Sequence, residues 1–300
     1  MLDEFKNAFQ RHNNAHIQLI IINVVIFLAI GVLFVVAKIS STQPIFQLVY
    51  DQFLLPSLLP EFLTKPWTLL TYSFAHSFNY EFGSVGIWHI LMNMLMFYWF
   101  AKLFVEYLGS DKLVALYVLG GLGGGILYLL LYNTIPFFIN QPSTLVGASA
   151  SVLAVVVAVA TLLPDYTFFL MFLGPVRIKY IAAFYVVVSF LFSVGGNAGG
   201  NVAHLGGALI GFVYIKQLQA GVNWGGWITT VIDWFKNLFT AKPKVKVTYR
   251  NKEMATTKKA STKSSVPQDE IDTILDKISD GGYESLTKDE KEKLFNASKK

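Results

Sequence analysis

Six long apolar runs alternate along this chain with shorter segments that are polar or rich in glycine and proline. A run of about twenty apolar residues can cross a hydrocarbon core of about 30 Å as a helix. The pattern therefore predicts an all-α polytopic membrane protein built as a bundle of six transmembrane helices. The predicted spans run from about Ile17 to Val36, Trp88 to Phe104, Leu113 to Tyr132, Gly147 to Leu163, Ile178 to Phe192 and Val202 to Leu218.

The same pattern divides the chain into four parts. Residues 1–16 form a polar N-terminus, and residues 17–218 form the six-helix domain. Residues 219–266 combine an amphipathic, aromatic segment with a linker rich in lysine, threonine and serine, and residues 267–300 form a small helical tail. The first apolar run is too long for the core of a signal peptide, so we expect it to be retained as a span.

The small tail has the signals of a helical pair. Gly281 and Gly282 are expected to end its first helix, and Thr287 and Glu290 have the spacing of a capping box at the start of the second. The tail shows no catalytic pattern, and no partner is predicted for it.

The segment between the first two spans is long and aromatic. Four prolines interrupt any continuous helix there: Pro44, Pro56, Pro60 and Pro66. Aromatic rings favour the headgroup level of a bilayer, so we expect this first loop to lie half-embedded in the membrane interface.

Composition narrows the classes of function. The chain is 54% hydrophobic, 14% charged and free of cysteine, which excludes disulfides and thiolate metal sites. No cofactor or metal is predicted. The net charge of +5 comes mostly from the C-terminal quarter, so it does not describe a nucleic-acid surface, and the expected partner is the lipid bilayer.

Charge also predicts the orientation. With six spans, nearly all lysine and arginine falls on the side that holds both termini, and the loops 133–144 and 193–200 on the other side hold none. The positive-inside rule then places the N- and C-termini in the cytoplasm. We expect a multi-pass protein of a bacterial inner membrane.

Four polar residues lie near the outward ends of three predicted spans: His89 and Asn93, Ser149, and His204. A serine in an apolar helix is most often a cap or a packing residue, and the pair His89 and Asn93 taken alone also favours a structural role. Their shared depth in one leaflet favours a site instead. Small neighbours such as Gly207 would let the serine and histidine helices approach closely.

These residue types support acyl-transfer chemistry. Neutral His204 could take the proton of Ser149 and return it to a leaving amine. No carboxylate lies in a nearby span, so a dyad is expected, not a triad. Candidate donors to the oxyanion are the Ser149 backbone N–H, the Asn93 amide and the His89 imidazole.

In these motifs the chain resembles the rhomboid family of intramembrane serine proteases. The resemblance covers about Ile17 to Leu218 and rests on Trp67 with the aromatic loop, His89-Ile90-Leu91-Met92-Asn93, Gly147-Ala148-Ser149-Ala150 and Ala203-His204-Leu205-Gly206-Gly207. It implies a six-helix bundle with a water-filled cavity, Ser149 as nucleophile, His204 as base, and His89 with Asn93 as oxyanion donors. The implied substrates are transmembrane segments of other membrane proteins.

The chain departs from the family pattern at three positions. Ala150 replaces the glycine after the nucleophile, Leu153 replaces an aromatic residue that would stack on the base, and Thr68 replaces an arginine after the loop tryptophan. Two other classes stay open: a catalytically weak relative that binds and escorts transmembrane helices, and a small-solute transporter, which would need repeat symmetry or charged mid-span residues.

Overall fold

The computed structural model describes residues 13–77, 83–170, 174–239 and 268–298. It divides into two units, Met1–Ala241 and Lys242–Lys300. The predicted N-terminus falls mostly on residues 1–12, and the predicted basic linker falls on residues 240–267, so both lie outside the described residues.

In chain order the first unit contains α1 (Ala15–Ile39), α2 (Gln43–Tyr50), β1 (Leu55–Pro56), α3 (Leu59–Thr64), α4 (Thr68–Thr71), α5 (Gly83–Leu108), α6 (Ser110–Thr134), α7 (Pro136–Ile139), β2 (Thr144–Leu145), α8 (Ser149–Leu162), β3 (Thr167–Leu170), β4 (Gly174–Arg177), α9 (Ile178–Leu191), α10 (Ala198–Gln219) and α11 (Gly226–Phe239). The predicted helical, polytopic fold is confirmed: each predicted span coincides with one of α1, α5, α6, α8, α9 and α10.

Length separates these six helices into two groups. Four of them, α1, α5 (from Gly86), α6 and α10, are long and apolar enough to cross a membrane, whereas α8 and α9 are apolar but have only 14 residues each. The outward surface is apolar as well: Val32 is 64% exposed on α1 and Phe184 is 65% exposed on α9. Water would penalise such a surface and lipid would not, so the chain is an integral membrane protein.

Small residues hold the centre of the bundle together. Helix α8 packs against α6 and α10, and most of its residues are buried. A methyl group placed on Gly207 or Gly211 of α10 would meet the Ala150 or Ala154 carbonyl oxygen of α8 at 2.1 Å in each case. The predicted close approach of these helices is confirmed, because only a glycine fits at either contact.

The first loop folds onto the turn before α8. Its proline-broken sequence gives the short helices α2, α3 and α4, and β1 pairs antiparallel with β2, with Leu55 opposite Leu145. Tyr72 is fully buried and donates its hydroxyl to the Gly121 carbonyl oxygen at 2.6 Å. The half-embedded position of the loop in a bilayer stays a prediction.

Two details differ from the sequence expectations. The strands β3 and β4 form a small hairpin in the connection between α8 and α9, where only a charged connection was expected. Helix α10 begins at Ala198, four residues before the predicted start at Val202, because Gly199 packs closely against Tyr128. His204 therefore lies in the second turn of α10 and not at its head.

Asn23, the one strongly polar residue of α1, has the packing role expected of it. Its Nδ2 donates to the Leu19 carbonyl oxygen at 2.8 Å and to Tyr117 Oη at 3.0 Å. Tyr117 Oη in turn donates to the Ser73 carbonyl oxygen at 2.7 Å. This buried network joins α1 and α6 to the first loop.

The second unit is described over residues 268–298. It contains α12 (Gln268–Gly281) and α13 (Lys288–Ser298). Gly282 adopts φ +74° just after α12, and the capping box forms: the Thr287 backbone N–H donates to Glu290 Oε2 at 2.9 Å, and the Glu290 backbone N–H donates to Thr287 Oγ1 at 3.4 Å. Both local expectations for this segment are confirmed.

Candidate active site

A cavity of about 440 Å³ opens between four helices of the bundle. The four polar residues singled out in the sequence, His89, Asn93, Ser149 and His204, all line it. The remaining lining residues are apolar or aromatic: Trp88, Met92 and Met96 of α5, Val152, Leu153 and Val156 of α8, and Tyr185 of α9. The fold therefore brings together polar residues that are up to 115 positions apart in the chain, from His89 to His204.

Ser149 is the first residue of α8 and is partly exposed to the cavity. The first backbone N–H groups of a helix have no partner within it, so the Ser149 N–H, which has no acceptor in the described part of the chain, can donate to a ligand at the positive end of the helix dipole. Gly147 sets up this turn with φ +139°, a conformation that side chains strongly disfavour. Its N–H donates to the Tyr72 carbonyl oxygen at 3.0 Å, which fixes the turn to the first loop.

The side chains of His89 and Asn93 lie one helical turn apart on α5. A methyl group placed on Gly147 would lie 3.7 Å from Ser149 Oγ and 3.8 Å from His89 Nε2, so the hydroxyl and the imidazole flank the same small space. Asn93 Nδ2 donates to the His89 carbonyl oxygen at 2.9 Å. An amide nitrogen carries two protons, so Asn93 retains one for a ligand in the cavity.

A second histidine, His76, packs against the ring of His89. The ring of His76, in the first loop, meets the His89 ring edge-on with centroids 5.9 Å apart. His76 is fully buried, and neither of its ring nitrogens has a hydrogen-bond partner among the described residues. Burial lowers the pKa of His76 to about 3, so this residue is neutral and acts as an aromatic wall for His89.

The hydrogen-bond partner of His204 comes from α9, which the sequence analysis did not connect with the site. Its Nδ1 lies 3.1 Å from Ser189 Oγ of α9, and Ser189 is only 2% exposed. No hydrogen bond joins Ser149 to His204 among the described residues, and catalytic hydrogen bonds are often longer in a ligand-free enzyme than in its substrate complex. Sequence reasoning missed Ser189, although it is the one serine within the predicted span Ile178 to Phe192 that precedes His204.

The depth of the site follows from the length of α8. A helix of 14 residues is about 21 Å long, which is about 9 Å less than a hydrocarbon core. Just beyond the far end of α8, Asp165 forms ion pairs with Arg177 at 3.2 Å and with Lys179 at 2.7 Å. The hydrogen bond from Lys179 is the main reason why the pKa of Asp165 is lowered. Exposed charges of this kind favour water, so we expect them to lie at a membrane surface and Ser149, at the other end of the short helix, to lie below the opposite one.

Two of the residues that depart from the family pattern, Leu153 and Ala150, lie at or beside the cavity. Leu153 lines the cavity, where the family resemblance implied an aromatic side chain, and the aromatic rings of the lining come instead from Trp88 of α5 and Tyr185 of α9. Ala150 is buried, and its carbonyl oxygen faces Gly207. Among the described residues no group of three or more His, Cys, Asp or Glu side chains could hold a metal ion.

Residues 63–219, about half of the chain, match the family model of the rhomboid domain. Residues 261–300 match a family of unknown function, DUF6576.

Two curated proteins are similar to the chain. RHOMBOID-like protein 12, mitochondrial, of Arabidopsis thaliana is 30% identical over 165 residues, which are 51% of this chain and 47% of that protein. Presenilin-associated rhomboid-like protein A, mitochondrial, of Danio rerio is 27% identical over 138 residues, which are 45% of this chain and 35% of that protein. The chain thus aligns with less than half the length of each of these relatives.

Proposed function

Because this chain belongs to the rhomboid family, we propose that it is an intramembrane serine endopeptidase that cleaves transmembrane segments of other membrane proteins. The observation that supports this most directly is the shared cavity. Ser149 and His204 both face it, and His89 and Asn93 lie beside them as donors. A hydroxyl, a base and an oxyanion site are the parts that peptide hydrolysis requires.

In the proposed reaction His204 accepts the proton of Ser149 Oγ through Nε2 while the oxygen attacks the scissile carbonyl carbon. The negative charge that develops on the carbonyl oxygen is stabilised by the Ser149 backbone N–H, the His89 imidazole and the Asn93 amide. His204 then gives the proton to the leaving amine, and water hydrolyses the acyl-serine by the same steps. The loss of one oxyanion donor typically raises the barrier by about 3–4 kcal/mol.

The direct test uses purified protein in liposomes with a model transmembrane substrate. Wild-type protein should cut it, and Ser149→Ala and His204→Ala should each abolish cleavage while thermal unfolding stays unchanged. A fluorophosphonate should label the wild type and not Ser149→Ala. Cleavage that persists in Ser149→Ala would rule out the proposed nucleophile.

The alternative is a relative that binds and escorts transmembrane helices with little catalysis. Its support is the apolar lining of the cavity, which fits a helix whether or not the peptide bond is cut. The two functions separate in the wild-type protein: a helix-binding function leaves the co-purified substrate intact, whereas a protease function cuts it, and Ser149→Ala then leaves it uncut.

The proposal includes an orientation and a membrane. Both termini are placed in the cytoplasm, in a bacterial inner membrane, and the support is the lysine and arginine bias of the loops. The names of the two relatives place those proteins in mitochondria. Reporter fusions at the C-terminus test the orientation, since an enzyme that is active only in the periplasm should stay inactive when it is fused there.

A further inference from the structure

We propose that Ser189 is a positioning residue that holds His204 in the tautomer and orientation required of a general base. The proposal rests on the function proposed above. It starts from one contact: Ser189 Oγ of α9 lies 3.1 Å from Nδ1 of His204 on α10. This is the single hydrogen bond that the described residues offer to the His204 ring.

The contact decides which ring nitrogen is free. A neutral imidazole carries one proton, and the nitrogen without it is the acceptor. If Nδ1–H donates to Ser189 Oγ, Nε2 is left unprotonated and can accept the proton of Ser149. The opposite tautomer would place a proton on Nε2 and would prevent that step.

In serine hydrolases with a triad, a carboxylate fills this orienting role. Here the cavity offers none, because its described lining contains no Asp, Glu, Lys or Arg. The titratable side chains that face His204 across the cavity are His89 from α5 and Tyr185 from α9. Helix α8 contributes Ser149 and apolar residues, and α6 meets α10 through Gly123 and Gly124. A buried hydroxyl is therefore the group placed to orient the base.

Burial makes this contact specific. Ser189 is 2% exposed, so water does not replace the hydroxyl as the partner of the imidazole. Two antiparallel helices also define its geometry, since α9 ends at Leu191 and α10 begins at Ala198 after a short turn. The orientation of the base thus depends on α9 remaining docked against α10.

The test compares Ser189→Ala and Ser189→Thr with wild type in liposomes. Ser193→Ala is the matched control, since its hydroxyl donates to the Phe190 carbonyl oxygen at the exposed end of the same segment. One neutral hydrogen bond corresponds to about a 3- to 10-fold effect on a rate. We expect Ser189→Ala to lower kcat by about that factor with KM unchanged, and Ser189→Thr to restore most of it.

Two further readouts separate orientation from folding. Without the acceptor oxygen the imidazolium form loses stabilisation, so the acid limb of the kcat profile of Ser189→Ala should move to lower pH. The rate of fluorophosphonate labelling of Ser149 should fall in parallel with kcat, because it reports activation of the nucleophile without a substrate helix.

The possible results are distinct. Cleavage by Ser149→Ala would remove the proposed function itself. An inactive Ser149→Ala together with a wild-type rate and pH profile in Ser189→Ala would remove the role of Ser189 alone. A loss in Ser189→Ala that leaves the pH profile unchanged and is not rescued by threonine would also overturn the proposal, since it would show a packing role.

Discussion

The contact between α8 and α10 gives a sharp prediction about Gly207. The residue lies three positions after His204, and it faces the carbonyl of Ala150, the residue after Ser149. A methyl group on Gly207 would lie 2.1 Å from the Ala150 carbonyl oxygen, 2.8 Å from the carbonyl carbon and 3.1 Å from Cα. All three atoms belong to the backbone, so no side-chain rotation can relieve the contact.

The magnitude follows from that distance. Non-bonded atoms pack at about 3–4 Å, so Gly207→Ala has to separate the two helices by about 1 Å. Overpacking of this kind costs about 1–3 kcal/mol of stability. A displacement of about 1 Å between reacting groups typically lowers a rate by about 100-fold. We therefore expect a modestly destabilised protein with a much larger loss of cleavage.

The assay measures substrate cleavage and thermal unfolding on the same liposome preparations. Gly196→Ala is the matched control, because a methyl group there meets no atom within 4 Å. Adding Ala150→Gly to Gly207→Ala should not restore activity, since the clash is with the carbonyl oxygen and not with the Ala150 side chain. A Gly207→Ala protein with wild-type stability and rate would show that the two helices are not in backbone contact.

Three further predictions follow from the structure. Tyr117→Phe leaves the buried Ser73 carbonyl oxygen without its hydrogen bond, and thermal unfolding should show a loss of about 1–3 kcal/mol. The pKa of Glu290 is lowered to about 2, chiefly by the hydrogen bond from Lys277, so its contribution to the second unit is complete above the ordinary carboxyl pKa and is lost as pH falls toward 2. In hydrogen exchange on the full chain, Glu290→Gln should remove that acid sensitivity. Cleavage should fall at acid pH because a protonated His204 cannot accept a proton, and a rate that shows no acid limb at any pH where the protein stays folded would exclude it as the base.

The transmembrane spans could be predicted from the sequence because contact with lipid constrains each helix through its own residues. A lipid-facing helix must be apolar along a continuous run, and each run here is bounded by charges, prolines or glycines. The predicted start of α10 at Val202 was wrong, because the helix begins four residues earlier, at Ala198. Gly199 and Gly200 suggest a loop by propensity, but Gly199 lies in the helix because its missing side chain makes room for Tyr128.

The four candidate site residues were identified because each lies near the outward end of a predicted span. Ser189 was missed because only the first turns of the spans were compared in this way. An isolated serine near the C-terminal end of α9 has no local signal of function. Its place opposite His204 depends on how α9 and α10 rotate about their axes, and periodicity does not fix that rotation when both helices are apolar on most faces.

The polar side chains that line the cavity lie at one end of it. Along α5 the lining changes from His89 and Asn93 to Met96, and along α8 it changes from Ser149 to Val156. Both helices begin at the polar end, so the same change occurs on two walls at the same level. Polar groups are least costly where water reaches them, and hydrolysis of an acyl-serine needs that water. If the proposed protease function holds, the apolar end can hold substrate side chains, and we expect the cut to fall at the Ser149 end of α8.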